Sequence, residues 1–330
     1  MVNTAINGFG RIGRQVLQAG INDPKINWVA INDVTDTNTL AYLLKYDSVH
    51  SRSDYKVEAR SNSLLVNGKT IKVLSEKDPE KLPWKELRID VVVESTGLFT
   101  DRDSATKHLK AGAKKVLLSA PGKNMDISLV MGVNEKKYDK KKHHIISNLS
   151  CTTNCLAPMV KVLHDAFKIE KGFLVTTHAY TADQRLVDAP HKDLRRGRAA
   201  AENLVPTTTG AAKSVAEAIP ELKGKLDGFA IRAPVPDGSI ATFVCTVKKK
   251  TSTAEINNLF RQSCKREMQG IIQYNEEPIV SLDIIHNSHS CIFEAPFTYV
   301  IDGNLVSISG WYDNEWGYSC RMVEMIKKVW

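Results

Sequence analysis

Apolar residues recur along this chain in two styles, and the change between them falls near residue 150. Thr4-Ala5-Ile6-Asn7 gives way to a glycine turn, after which Ile12, Val16 and Ala19 return at helical spacing. Trp28-Val29-Ala30-Ile31, Val91-Val92-Val93, Val116-Leu117-Leu118 and Ile145-Ile146 are further short runs, each leading into polar or turn residues. Short apolar strands separated by helical patterns predict a parallel sheet covered on both faces. Beyond residue 150 the runs Phe173 to Thr177, Ile240 to Val247 and Leu305 to Tyr312 are longer and rich in β-branched and aromatic residues. They predict a mixed or antiparallel sheet with helices on one side. The fold class is therefore α/β, with a parallel-sheet domain over 1–150 and an α+β domain over 151–313.

Composition adds bounds. A chain of 330 residues, 42% hydrophobic and 25% charged, is long enough for two domains with buried cores. No apolar stretch approaches the ~20 residues that span a bilayer, so no membrane partner is predicted. The N-terminus runs directly into a structured pattern, and a cytoplasmic protein is expected. A formal charge of +8 raises the question of nucleic acid. The densest basic runs, Lys136 to Lys142, Lys248 to Lys250 and Arg195 to Arg198, carry no interleaved aromatics for base stacking. Solvated surface charge plus an anionic small substrate accounts for them, and no nucleic-acid partner is predicted. The six cysteines form no C-x-x-C pair and no disulfide-scaffold spacing, which fits free thiols in a reducing compartment. Cys155 follows Cys151 by one helical turn, but no nearby His completes a metal site, so no metal is expected.

Gly8-Phe9-Gly10-Arg11-Ile12-Gly13 is G-x-G-x-x-G between a strand and a helix. Gly8 makes the tight turn, Gly10 lets a pyrophosphate approach the backbone, and Gly13 lets helix and strand pack closely. Such a motif alone is equally an ordinary Gly-rich turn. Asp33 changes the reading: it ends the second strand-like run, about twenty residues past Gly13, where a carboxylate meets the adenosine ribose hydroxyls. Two unit charges ~4 Å apart repel by about 4 kcal/mol at an effective dielectric near 20. A 2′-phosphate beside Asp33 would meet that repulsion, so NAD is expected in preference to NADP, and residues 1–150 form an NAD-binding, Rossmann-like domain.

Ser150-Cys151-Thr152-Thr153-Asn154 opens a helical pattern continued by Leu156, Val160 and Leu163, with Pro158 inside it as a lost hydrogen bond or a bend. A thiol at a helix start has its thiolate favoured by the dipole and by unsatisfied N–H groups. Polar flanks suit an anion site better than a core. His178 ends the Phe173 to Thr177 run and is placed to face a cleft, although spacing alone does not establish contact with Cys151.

Gly8 to Arg14, Ser150 to Cys155, His178-Ala179-Tyr180-Thr181 and Trp311-Tyr312-Asp313-Asn314-Glu315 occur in order over essentially the whole chain. Together they resemble the glyceraldehyde-3-phosphate dehydrogenase family in its phosphorylating, NAD-type form. The resemblance implies that Cys151 attacks the aldehyde, with His178 stabilising the thiolate and then serving as acid–base partner. The Cys151 N–H is a candidate donor to the hemithioacetal oxygen. Oxidation leaves a thioester, which inorganic phosphate opens to an acyl phosphate. The implied products are 1,3-bisphosphoglycerate and NADH, reversibly, in glycolysis or gluconeogenesis.

Further roles follow from the resemblance alone. Thr181, Asp183 and Arg232 line the pocket for the substrate phosphate, with Arg232 supplying charge and Asp183 orienting it. Ser150, Thr152, Thr209, Gly210 and Arg196 form the pocket for inorganic phosphate, at the start of the helical stretch Ala211 to Ile219. Arg11 and Ile12 lie at the pyrophosphate, Lys77 near the adenine, and Thr96, Gly97 and Ser119 approach the cofactor. Asn314 holds the nicotinamide carboxamide and Tyr318 packs near that ring. The helix of residues 314–330, patterned by Met322, Ile326 and Val329, returns to the cofactor domain. A homotetramer is implied, with Thr181 to Ala201 as its interface loop.

Some positions depart from the family pattern. Leu149 stands where a small Ala is usual, and Lys77 where Arg is common. Pro236-Asp237-Gly238-Ser239 alters a turn. In Asp188-Ala189-Pro190-His191, Ala189 is smaller than the Leu of strict NAD enzymes and leaves room for a 2′-phosphate, whereas Pro190 and Val34 resemble the NAD type. NAD first, with NADP tolerated, is the expectation. The rival within this chemistry is erythrose-4-phosphate dehydrogenase, which hydrolyses its thioester; Thr207-Thr208-Thr209-Gly210 favours phosphorolysis. A cysteine hydrolase has no need of the glycine motif with Asp33, and a non-catalytic binder has no need of the whole residue set.

Overall fold

The computed structural model describes all residues 1–330, and the chain divides into two compact units. The first comprises Met1–Leu129, Glu135–Leu149 and Ser319–Trp330; the second comprises Val130–Asn134 and Ser150–Tyr318.

The first unit begins with β1 (Val2–Asn7), α1 (Arg11–Gly20), β2 (Ile26–Asn32) and α2 (Thr37–Lys45). The short pair β3 (Tyr46–Asp47) and β4 (Ser51–Arg52) comes next, then β5 (Val57–Arg60), β6 (Ser63–Val66) and β7 (Lys69–Leu74). It continues with β8 (Val91–Glu94), α3 (Arg102–Lys110), β9 (Lys115–Leu118), β10 (Ile127–Ser128) and β11 (Ile145–Ser147). Nine strands make one sheet in the order β10-β11-β9-β8-β1-β2-β7-β6-β5. Neighbours from β10 to β7 run parallel, as the apolar runs predict. Every residue of β8, β9 and β11 is buried, because both faces of a parallel sheet are covered. The antiparallel edge of β6 and β5 was not predicted; those strands are short and half-solvated, so their apolar pattern is weak. Register sets Asn7 beside both Asn32 and Glu94, so the carboxyl ends of β1, β2 and β8 meet at the start of the glycine turn.

The second unit contains α4 (Cys151–Phe167), β12 (Ile169–Ala179), β13 (Val205–Thr208), α5 (Ala211–Ala218) and β14 (Leu226–Ala233). After β15 (Ser239–Val247) come α6 (Thr253–Ser263), β16 (Ile272–Asn275), β17 (Cys291–Glu294), β18 (Tyr299–Ile301) and β19 (Leu305–Tyr312). The last helix, α7 (Trp316–Val329), starts in this unit and ends in the first. In the first unit Lys327 Nζ binds Asp23 Oδ2 at 2.7 Å, and Tyr138 Oη donates to Val329 O at 2.7 Å. The sheet order is β13-β14-β12-β15-β19-β17-β16, with β18 on β19 and a mixture of parallel and antiparallel pairs. Along β12, Leu174, Thr176 and His178 are buried while Phe173 is 47% exposed, the period-two alternation of a sheet with one covered face. Helix α4 packs on that covered face. Its N-cap is Ser150, whose side chain accepts from Thr153 N–H, and Lys168 ends it in the left-handed conformation at φ 61°. Pro158 does not interrupt it; the helix continues for 17 residues with that one N–H missing.

Candidate active site

In the first unit the three motif glycines differ in what a side chain would meet. A Cβ on Gly8, at φ +90°, would lie 2.7 Å from Thr96 N, and one on Gly13 would lie 2.2 Å from Gly8 O. These two are required by the protein's own packing. A Cβ on Gly10 would meet nothing within 4 Å, so its bare backbone faces open space at the N-terminus of α1, which has no side-chain cap. That is the cradle a phosphate needs. Asp33 bridges the turn to the end of β2: Oδ2 accepts from Phe9 N–H at 2.7 Å and Oδ1 from Thr35 N–H at 2.9 Å. A cleft of about 480 Å³ is lined by Gly8, Gly10, Asp33, Val34, Lys77 and Thr96, among others. Residues with these donors and this shape fit a dinucleotide such as NAD.

Other cofactor candidates are held more indirectly. Arg11 NH1 turns to Asp47 Oδ2 at 2.6 Å. Ile12 is half-buried, and Ser119 N–H donates to Glu94 O at 3.0 Å. The Thr96 hydroxyl donates to Glu94 and accepts from Leu98 N–H at 3.0 Å, which shapes the turn through Gly97 at φ +71°.

In the second unit Cys151 is the first residue of α4 and is half-buried. Its Sγ lies 3.5 Å from His178 Nε2. Parallel pairing of β12 with β14 sets His178 opposite Arg232. His178 Nδ1 is 2.7 Å from Ala179 O, and Arg232 NH1 is 3.0 Å from Nδ1 and 3.1 Å from Ala179 O. We assign the proton to Nδ1, so that Nδ1 and Arg232 NH1 both donate to the Ala179 carbonyl and not to each other, which turns the Nε2 lone pair toward the sulfur. Burial pushes the thiol up to about 11, while Arg232 and the Thr152 N–H pull the other way. Burial, seconded by Arg232, holds the imidazole down at about 3. Arg232 Nε is buried with no hydrogen-bond partner in the protein, a donor that an anion could satisfy.

Asp183 hydrogen-bonds Arg196 and acts on Arg232 through its charge alone: its Oδ2 accepts from Arg196 NH1 at 2.5 Å, because the irregular segment after His178 folds the two together. Arg196 Nε also donates to Thr207 Oγ1 at 2.9 Å, and Asp193 stands 3.5 Å away. Thr209 Oγ1 accepts from Ala211 N–H at 3.2 Å, and Gly210 is the N-cap of α5 with open space at its Cα. Thr181 N–H reaches Gln184 Oε1 at 3.4 Å, and Ala189 is exposed with its N–H on Gly197 O at 2.9 Å. Asn314 Oδ1 accepts from Ser239 Oγ at 2.5 Å, which fixes its amide, and Tyr318 is buried.

Tyr312, within Trp311 to Glu315, gains a role that its sequence position does not reveal. Its hydroxyl lies 2.8 Å from Thr152 Oγ1 and 3.0 Å from Thr176 Oγ1, and its ring meets His178 edge-on. The signal was its place on the covered face of β19, visible only once the strand's register is known.

Comparison with known proteins follows the same division. The family described as glyceraldehyde 3-phosphate dehydrogenase, NAD binding domain, matches residues 2–102, and the C-terminal domain of the same enzyme matches residues 150–314. The glyceraldehyde-3-phosphate dehydrogenase of Geobacillus stearothermophilus is 56% identical over 324 residues, covering 98% of this chain and 97% of its own. Glyceraldehyde-3-phosphate dehydrogenase 2 of Bacillus subtilis (strain 168) is 52% identical over 328 residues, 99% of this chain and 96% of its own. Its namesake in Trichormus variabilis is 53% identical over 332 residues, 100% and 98% respectively. The chain belongs to the glyceraldehyde-3-phosphate dehydrogenase family.

Proposed function

We propose that this chain oxidises glyceraldehyde 3-phosphate with NAD and inorganic phosphate to 1,3-bisphosphoglycerate, through a thiohemiacetal and a thioester on Cys151. The reading rests on family membership and, chemically, on the Sγ of Cys151 at a helix start 3.5 Å from His178 Nε2. Cys151 Sγ attacks the aldehyde carbon, and the thiol proton passes to Nε2. The N–H groups of the first turn of α4 are donors for the oxygen that becomes negative. NAD, when bound, supplies the hydride acceptor. His178 then holds the proton needed as phosphate opens the thioester. Arg232 and Thr181 take the substrate phosphate. Ser150, Thr152, Thr209, Gly210 and Arg196 take inorganic phosphate, with Asp183 and Asp193 holding Arg196 in place.

Residues 1–150 with the helix 314–330 serve as the NAD-binding domain and 151–313 as the catalytic domain. Asp33 disfavours a 2′-phosphate, and Ala189 leaves room for one, so NAD is preferred and NADP tolerated. Equal catalytic efficiency with both would overturn that preference. The protein is cytoplasmic, in keeping with six free thiols and with no helix long and apolar enough to cross a membrane. It assembles as a homotetramer. Support for self-association comes from the uncovered face of the mixed sheet, where Phe173, Phe229 and Val244 are exposed side by side.

NADH formation from glyceraldehyde 3-phosphate, with and without inorganic phosphate, tests the reaction. Multiple turnover is expected only with phosphate and only with Cys151. Turnover unchanged without phosphate would overturn the phosphorylating assignment, and full activity in Cys151→Ser the covalent one.

A further inference from the structure

We infer that Trp84 and His108, neither of which lines the cofactor cleft, set its affinity for NAD by fixing one buried carboxylate, Glu94, that shapes two of its walls. The inference rests on the reading of that cleft as the NAD site. Trp84 and His108 are 0% exposed and Glu94 is 3% exposed. Trp84 Nε1 lies 2.9 Å from His108 Nδ1. An indole N–H can only donate, so Nδ1 must accept and the histidine proton sits on Nε2. That proton points at Glu94 Oε2, 2.9 Å away. The second donor to Oε2 is Asn7 Nδ2 at 2.6 Å. Oε1 accepts the N–H of Thr96 at 2.9 Å and the Thr96 hydroxyl. Four donors thus fill the lone-pair sites of the carboxylate, which is what makes an unpaired buried anion tolerable.

The consequences run outward along two branches. On one, Asn7 is held with Oδ1 toward Asn32 Nδ2 at 2.6 Å, and Asn32 clamps the backbone of Glu76 through both its amide atoms. On the other, the Thr96 hydroxyl has spent its proton on Glu94 and offers a lone pair to Leu98 N–H. Asn7, Asn32, Glu76, Thr96 and Leu98 all line the cleft. With the opposite tautomer of His108, the Nε2 lone pair would face the carboxylate and two N–H groups would face each other. Trp84 is therefore a tautomer lock, and Trp84, His108 and Glu94 are positioning residues for a cofactor that none of them is needed to touch.

Calorimetric titration of the full-length protein with NAD tests this, alongside hydrogen exchange of the segment 94–99. Trp84→Phe is expected to weaken NAD by about 3–10-fold, the worth of one hydrogen bond, and to speed exchange in that segment. His108→Leu should weaken it by at least as much. In His108→Gln an amide supplies both the donor and the acceptor, and affinity should return to within about 3-fold of wild type. Because Trp84 acts through His108, the Trp84→Phe/His108→Leu double variant should bind no more weakly than His108→Leu alone. KM for NAD should follow these changes while kcat stays within about twofold. Unchanged affinity in folded Trp84→Phe, or additive losses in the double variant, would overturn the inference. If His108→Leu does not fold, Trp84→Phe against His108→Gln decides alone. Wild-type protein that does not bind NAD would instead sink the reading of the cleft.

Discussion

Two buried histidines, His108 and His178, show how the same side chain serves opposite ends. His108 has a partner on each ring nitrogen, an indole donor on one side and a carboxylate on the other, and every group around it is satisfied in turn. His178 has its Nδ1 between a carbonyl and a guanidinium and its Nε2 facing a thiol at 3.5 Å, longer than an ordinary polar hydrogen bond. Beside it Arg232 keeps a buried N–H without a partner. A saturated network has one arrangement and rigidifies what it touches; an unsaturated one keeps proton and anion positions open. The first suits positioning and the second suits reaction.

The sharpest way to break this contrast is to exchange each histidine for an amide. His178→Asn should lower kcat by about 10²–10⁴-fold, the usual worth of a general acid–base, whereas His108→Gln should leave kcat nearly untouched. Steady-state kinetics at saturating substrates measures both. A similar loss of kcat at the two positions would mean that the distinction between saturated and reactive networks is false.

Arg232 comes next. Its charge pulls the thiol down and also holds His178 down. Removing a positive charge next to a thiol disfavours the thiolate, so the pH profile of Cys151 alkylation by iodoacetamide should move to higher pH in Arg232→Ala. Loss of a charge-assisted hydrogen bond to the substrate phosphate should lower kcat/KM for glyceraldehyde 3-phosphate by about 10–100-fold. An alkylation profile that stays in place would remove Arg232 from the electrostatics of the pair.

How much of this was readable beforehand depends on chain distance. The G-x-G-x-x-G turn and the thiol at the start of α4 are local patterns, and strands and caps follow from neighbours a few residues away. Asp33 was readable because the spacing of a strand-helix-strand unit is nearly fixed. By contrast, the pairing of His178 with Arg232 depends on the register of two parallel strands separated by a long irregular segment. The Asp183–Arg196 pair was unreadable for the same reason: the two lie across a loop with no periodicity. The Trp84, His108 and Glu94 cluster joins a turn, a helix and a strand end, each with an unremarkable residue. Only the meeting of the three carries meaning. The outer antiparallel edge was missed because half-solvated short strands leave little apolar signal.

A subtler contrast concerns two buried carboxyls of the second unit, Asp237 and Asp313. Burial, and then the neighbouring Asp313 carboxylate, hold Asp237 well above the usual carboxylate range. The unfolded chain loses that proton near 3.8, so above that pH the folded state binds the extra proton and stability falls as pH rises. Asp237→Asn removes the titration. Thermal denaturation from pH 6 to 9 should therefore decline less steeply in the variant than in wild type. Parallel declines would show that Asp237 is already ionised in the folded protein.

The smallest effect separates the two ends of one helix. At the start of α4, Ser150 and Cys151 couple the cap to chemistry; at its end, Lys168 is exposed and held at φ 61°, with its N–H on His164 O. A side chain in the left-handed region costs about 1 kcal/mol or more relative to glycine, an effect only partly offset by an exposed lysine's charge at the helix C-terminus. Lys168→Gly should therefore stabilise the second unit by roughly 0.5–1 kcal/mol, after the added entropy of the unfolded glycine is counted. Its unfolding midpoint should rise by a few degrees at most. Because the backbone hydrogen bond is kept, Cys151 stays where it is, and kcat and the alkylation rate should not change. A change in either would mean that strain at the end of α4 is transmitted along the helix to the thiol, and that the reactive site is less local than its hydrogen bonds make it.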